Sequence, residues 1–396
     1  MTLYEGLPRA VPEDVGISTS RLGRIAPIMQ RWVDDGKIPC VLTMIAREGR
    51  LVHFEKYGTQ DITTAKPVEF DTIFRIYSMT KPITSIAVMM LYEEGHFQLG
   101  TPVSELIPAF KNMQVYTEDG SAIVDADREM TIKHLLTHTA GLIYGGDWEH
   151  PINERYRAAD FYGGDLAHMA QELGNIPLLH HPGDAWNYGM STDVLGYLVE
   201  VVSGIPFEEF LKTRILNPLN MNDTAFSVPD EKADRYATLY EPAEDGGIQV
   251  IENAPVSSGP LSFHHSGGAG LQSTAADYLR FCQMLLNDGE LDGERLLGRK
   301  TVELIRMNHI SDDWQPLERT GCGFGLGFAV VTNVADTHNL GSLGTYSWGG
   351  LASTTFWIDP VEDLIGILMT QLIGDSPFHA QFRTLTYQAL IDRSFE

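Results

Sequence analysis

Residues 76–83 read IYSMTKPI, which sets a hydroxyl (Ser78) and an ammonium (Lys81) three positions apart at the mouth of an apolar run. On a helix, positions three apart share a face, with Cβ atoms about 5–6 Å apart, so the two groups can converge on one point. That is the arrangement of a nucleophile and its base. The same residues also suit a helix N-cap and a solvated charge, and Ser-x-x-Lys arises by chance in most chains of this length. A nucleophile of this kind needs two further parts: a second proton-relay group, and a glycine-rich strand edge whose N–H groups receive an oxyanion. The stretch WNYGMSTDVLG places Tyr188 on a loop just before a helix, either projecting a phenol into a cleft or packing as an aromatic against that helix. The stretch SWGGLASTTFWID places Gly349 and Gly350 at the start of a strand, where a substrate could approach the backbone closely; adjacent glycines also occur in any turn.

Other chemistries find less support. His134 and His138, four apart in KHLLTHTAG, lack the glutamate and third ligand of a zinc-protease helix. They read as hydrogen-bonded or surface histidines near a helix end, and no metal or other cofactor is expected. The glycines of GCGFGLGF miss the Gly-x-Gly-x-x-Gly spacing and lead into a strand, so a close-packed or bulged strand explains them better. Neither a Gly-x-Ser-x-Gly elbow nor phosphate-loop spacing occurs.

The elements that must position these residues follow from pattern. TSRLGRIAPIMQRWVDDGKI has helical spacing, with Ser18 or Thr19 as cap and Gly36 as stop. Cys40 to Gly58 reads as a hairpin turning at Glu48-Gly49. From Ser78 to about Ser258 helical periodicity dominates, and a helix entered through Ser273 or Thr274 follows. Strands return in GFGLGFAVV, STTFWID and LIGILMTQ, before a closing amphipathic helix in HAQFRTLTYQALIDRSF. One antiparallel sheet built from both chain ends, with a helical block inserted, accounts for this order. The expected division is 1–77 with 265–396 as an α/β domain and 78–264 as a mainly helical domain. Ser78 falls at their junction, where clefts form.

The chain has 396 residues, 43% hydrophobic and 20% charged, enough to bury a large core. Its apolar stretches reach about ten residues, short of the roughly 18–20 that span a bilayer, and its N-terminus lacks an export pattern, so a cytoplasmic protein without a membrane partner is expected. Cys40, Cys282 and Cys322 are few and far apart and read as buried thiols. A formal net charge of −25 would repel nucleic acid and leaves neutral or cationic small molecules as partners.

Taken in order, SMTK, TIKHLLTHTAGL, NYGMSTDVLGYLVEVVSG, GGAGLQSTAADYLRFCQMLLN and SWGG resemble the serine β-lactamase and penicillin-binding protein superfamily. More closely, they resemble the class C β-lactamase-like esterases called family VIII carboxylesterases, over nearly the whole chain. The resemblance implies an α+β, β-lactamase-like fold and hydrolysis of short-chain carboxylic esters through an acyl-enzyme on Ser78. Lys81 and Tyr188 would share the proton work, either through a neutral Lys81 or through a charged Lys81 beside a Tyr188 phenolate. The Ser78 N–H, at a helix start, would form half the oxyanion hole and the Leu351 N–H the other half. Class C β-lactamases carry Tyr-x-Asn where this chain has Tyr188-Gly189-Met190, and Lys-Thr-Gly where it has Trp348-Gly349-Gly350. Losing a charge-assisted contact of that kind removes about 1.5–3 kcal/mol of carboxylate recognition, which points to neutral, apolar acyl substrates. Trp348, Gly349, Gly350 and Met190 would line the substrate pocket, together with Tyr144, Trp148, Trp186 and Phe263, although for these last four a plain core role fits equally. The rival activities are a β-lactamase or D-alanyl-D-alanine peptidase and an acyltransferase using the same site.

Overall fold

The computed structural model describes residues 6–244, 246–252, 265–374 and 377–391. A hairpin begins the sheet: β1 (Cys40–Arg47) and β2 (Arg50–Asp61) pair antiparallel, with Arg47 opposite Arg50. Both turn residues, Glu48 (φ 51°) and Gly49 (φ 68°), are left-handed, the twist that a two-residue hairpin loop requires. After the short β3 (Lys66–Pro67), the remaining strands come from the other end of the chain: β4 (Cys322–Phe324), β5 (Ala329–Val331), β6 (Tyr346–Gly349), β7 (Thr355–Asp359) and β8 (Leu364–Met369). They form one eight-stranded sheet in the order β4-β5-β6-β7-β8-β1-β2-β3, antiparallel at every step. The union of the two chain ends is the β1–β8 ladder, where Leu42 lies opposite Met369.

Every residue of β1 is buried because both faces of the sheet are covered. Side chains alternate between two cores, as a period of two demands. Leu42, Met44, Phe356, Ile358, Ile365 and Ile367 enter the larger core, with helices α2 (Thr80–Glu93) and α4 (Ala275–Leu286). Val41, Ile45, Trp357, Leu364 and Leu368 enter a second core under α1 (Ile25–Asp34) and α5 (Phe378–Tyr387). Helix α2 is buried from Thr80 through Leu91, as a helix apolar on all sides must be. Helix α3 (Ser191–Ser203) packs against it. No helix among the described residues is long and apolar enough to cross a membrane.

Local differences from the sequence reading have local causes. The first helix breaks at Gly23, so a single turn capped by Ser18 precedes α1. The run GFGLGFAVV is two strands, not one: Gly325 N–H bonds to the Phe328 carbonyl and Gly327 takes φ 94°, which folds the run into a tight hairpin. The middle of the chain also contains two small hairpins, Gln114–Tyr116 with Ile123–Asp125 and Tyr240–Pro242 with Ile248–Val250, whose three-residue strands are too short to show a period. Thr274 is the cap of α4, its hydroxyl accepting from the Asp277 N–H. Cys40 and Cys282 are buried free thiols, Cys40 pushed up to about 12 by burial, while Cys322 is only half-buried.

Candidate active site

Ser78 sits in a 3-10 turn (Tyr77–Met79) that runs straight into α2. Tyr77, just before it, is left-handed at φ 42°, a conformation that costs a non-glycine residue on the order of 1 kcal/mol and collects at functional turns. Pro82 falls in the first turn of α2, where its missing N–H does no harm. One helical turn then carries the Lys81 Nζ to 3.2 Å from the Ser78 Oγ. Lys81 is 1% exposed, and its second contact is the Gly268 carbonyl at 2.8 Å. A Cβ on Gly268 would meet the Asp193 carboxylate and, at 2.8 Å, the Tyr144 hydroxyl, so only glycine lets this carbonyl reach the lysine.

Asp193 lies behind that peptide. It projects from α3 at 1% exposure and accepts from the Gly268 N–H at 3.1 Å and from the Ser266 hydroxyl. Burial raises its affinity for a proton, while the Lys81 charge and these two donors oppose the rise. The Gly268 peptide therefore joins the buried carboxylate, through its N–H, to the lysine, through its carbonyl.

Tyr188 stands over the lysine. The Lys81 Nζ lies 4.5 Å from the centroid of its ring and 5.2 Å from that of Tyr144, so the ammonium meets aromatic faces. Trp186 stacks on Tyr188 at 6.1 Å and 10°, while Trp348 and His138 pack at 5.5 and 5.0 Å from the same ring. Each such contact contributes about 0.5–1.5 kcal/mol beyond area burial, and together they hold the phenol in one place. His138 is fully enclosed, and burial, followed by the Lys81 charge, drives its proton affinity well down, so a neutral imidazole backs the tyrosine.

Ser78, Tyr188, Trp348, Gly349, Gly350 and Leu351 line one cavity of about 350 Å³. Gly349 ends β6, and Gly350 opens the turn to β7, its N–H bonded to the Thr354 carbonyl at 2.8 Å. A Cβ on Gly350 would run into the Ile76 carbonyl, which means that the turn carrying Ser78 presses on this strand end. The Ser78 and Leu351 N–H groups have no hydrogen-bond partner among the described residues.

Not every expected residue reaches the cavity. Met190, the residue just before α3, has its side chain 2% exposed in the core, where an apolar thioether belongs, and it does not line the cavity. Trp186 supports Tyr188 from behind, and Tyr144 meets Lys81 and, at 3.5 Å, the Asp193 carboxylate. Trp148 is exposed beside His150, and Phe263 lies outside the described residues. His134 caps the short helix Ile132–Leu136, its Nδ1 accepting from the Thr131 N–H at 3.2 Å. No cluster of three metal-ligating side chains occurs among the described residues. His138, expected as a hydrogen-bonded or surface histidine, is instead buried behind Tyr188, and Asp193, Arg319 on the cavity lining and Phe324, which packs at 5.3 Å from Trp348, are additions that sequence reasoning missed. The one available signal was Asp193, the single carboxylate in the first turn of its helix, five residues after Tyr188.

Comparison with known proteins bears on the family and the fold. An uncharacterized protein of Mycobacterium tuberculosis is 37% identical over 355 residues, which is 86% of this chain and 88% of the relative. Esterase EstB of Burkholderia gladioli is 27% identical over 378 residues, covering 89% of this chain and 91% of its own. The solved structure of EstCE1, described as a hydrolase with promiscuous acyltransferase activity, superposes with a TM-score of 0.81 at 26% identity, covering 93% of this chain and 99% of that one. A family model described as Beta-lactamase matches residues 25–389, so the chain belongs to that family and has its fold, as a hydrolase or acyltransferase with esterases among its relatives.

Proposed function

We propose that the chain is a serine carboxylesterase that cleaves short-chain esters through an acyl-enzyme on Ser78. The observation that carries this reading is the 3.2 Å approach of Lys81 to Ser78 at a helix start that opens into a cavity. The Ser78 Oγ attacks the ester carbonyl carbon as its proton passes to Lys81 in its neutral form, or to a Tyr188 phenolate held beside a charged Lys81. The carbonyl oxygen, now negative, takes hydrogen bonds from the Ser78 and Leu351 N–H groups. The alcohol leaves with the transferred proton, and water then attacks the acyl carbon and restores the serine. No cofactor or metal enters these steps. The helical segment 78–264 and the flanking segments 1–77 and 265–396 act as the two sides of the cleft, in a cytoplasmic enzyme whose partner is a small ester and not nucleic acid or membrane.

Esters are favoured over β-lactams because esterases stand among the relatives and because Met190 turns into the core, so this segment offers no amide to a lactam side chain. The test measures kcat/KM for p-nitrophenyl butyrate and for a chromogenic cephalosporin on one preparation, with Ser78→Ala as blank. The ester is expected to win by a wide margin, with slow lactam opening. A cephalosporin value equal to or above the ester value would reassign the chain as a lactamase or peptidase. Weak hydrolysis strongly stimulated by added alcohol would favour acyl transfer, the side activity described for EstCE1.

A further inference from the structure

The loss of a lysine at Trp348 suggested substrates without charge, yet the folded cleft regains a cation from another part of the chain. Arg319 follows a turn in which Leu317 and Glu318 are both left-handed, at φ 51° and 58°. Two consecutive non-glycine residues in that conformation are held there only by their surroundings, and such strain gathers where a side chain must be aimed. Here it lays the Arg319 guanidinium 5.3 Å from the centre of the Trp348 ring. Leu317 and Arg319 both line the cavity that holds Ser78 and Tyr188.

Among the described residues no carboxylate pairs with Arg319, and the lining of the Ser78 cavity contains no acidic side chain. Beyond Arg319 a second cavity of about 410 Å³ opens, and the two share Arg319, Thr355 and His379. Arg383 lines this second cavity, where Glu318 is the single acid. A chain with a net charge of −25 thus keeps two guanidiniums on the lining of two adjoining cavities.

We infer that Arg319 forms a carboxylate-binding subsite, so that the preferred substrates are short esters carrying a second, ionised carboxyl group. This rests on the esterase reading, because it concerns the substrate of the same site. A guanidinium can hold a carboxylate through two parallel N–H···O bonds, and the indole beneath fixes its plane. The subsite sorts substrates by charge and takes no part in bond breaking.

The test compares p-nitrophenyl hydrogen glutarate with its methyl-capped counterpart, which differs only in charge, and 3-butyryloxybenzoate with its methyl ester, which moves the charge to the alcohol side. In the wild type the charged member of at least one pair should have the higher kcat/KM. In Arg319→Gln that charged-to-capped ratio should fall about ten- to a hundredfold, mostly in KM, with Arg319→Lys restoring part of it. The ratio cancels any general damage to the enzyme. In a second measurement, glutarate should raise the melting temperature of the wild type and of Ser78→Ala above an ionic-strength-matched chloride control, and not that of Arg319→Gln. Wild-type ratios at or below one in both pairs, or ratios unchanged in Arg319→Gln, overturn the inference. If no ester is cleaved, the esterase reading fails by itself, and the glutarate shift then decides the subsite: its presence keeps the anion site and its absence removes it.

Discussion

The two sides of the cleft are built in opposite ways. On one side Lys81, Asp193 and His138 are each 1% exposed and held by named partners on helices or against the core. On the other, Leu351 is 57% and Leu317 45% exposed on turns, with Arg319 beside them. In the proposed mechanism the groups that move a proton sit where water is excluded and geometry is over-determined, since displacement of a reacting group by about 1 Å can cost a hundredfold. The groups proposed to choose the substrate sit on loops, where change leaves the core intact.

The largest expected effect falls on the buried side. Ser78→Ala should lower ester hydrolysis by several orders of magnitude while leaving the melting temperature close to wild type. Retention of more than a few per cent activity by the purified variant would remove Ser78 from its role. Lys81→Ala and Tyr188→Phe should each lower kcat at least about a hundredfold. A near-normal Tyr188→Phe would make the tyrosine a packing residue. Asp193→Asn keeps acceptors for Gly268 and Ser266 but removes the charge behind Lys81, so kcat should fall roughly tenfold and the pH profile should shift, with KM little changed. If only stability changes, Asp193 does not position the lysine. On the open side, Leu317→Ala should move KM severalfold and kcat by less than about threefold, because it removes uniform binding. A fall in kcat as large as that of Asp193→Asn would erase the contrast between the two sides.

Acid should act on the fold beneath both sides. His53, buried against the Thr43 hydroxyl at 2.8 Å, is lowered to about 4, first by burial. His134 is likewise lowered to about 4. The unfolded chain takes up these protons first, near pH 6.5, so stability is lost as pH falls from about 6.5 towards 4. For His53 the loss between pH 7 and 5 is about 2 kcal/mol, read as a lower melting temperature that His53→Gln should partly flatten. A melting temperature unchanged between pH 7 and 5 in the wild type would contradict it.

The parts legible in the sequence were those that local pattern encodes. The hairpin at Glu48-Gly49 could be read because turn chemistry and alternation are short-range. Ser78, Lys81 and Trp348 could be located by their stretches. Arg319 could not: it meets Trp348 only through a strained turn whose dihedrals no residue type announces. Met190 was assigned to the cleft by analogy with a polar residue, whereas an apolar thioether at a helix start is free to turn into the core, and does. The Gly268 carbonyl was invisible for a similar reason, since its partner Lys81 lies 187 residues away.

The β1–β8 ladder has a consequence in time. Leu42 cannot meet Met369 until almost the whole chain has been made, and pairings this distant in sequence are slow to form. At roughly 5–20 residues per second, synthesis leaves the β1–β2 hairpin waiting on the order of tens of seconds with one long apolar edge unpaired. An open edge of that kind invites pairing with other nascent chains, so the yield of native enzyme should depend on how well the cell shields this hairpin until the last strand emerges.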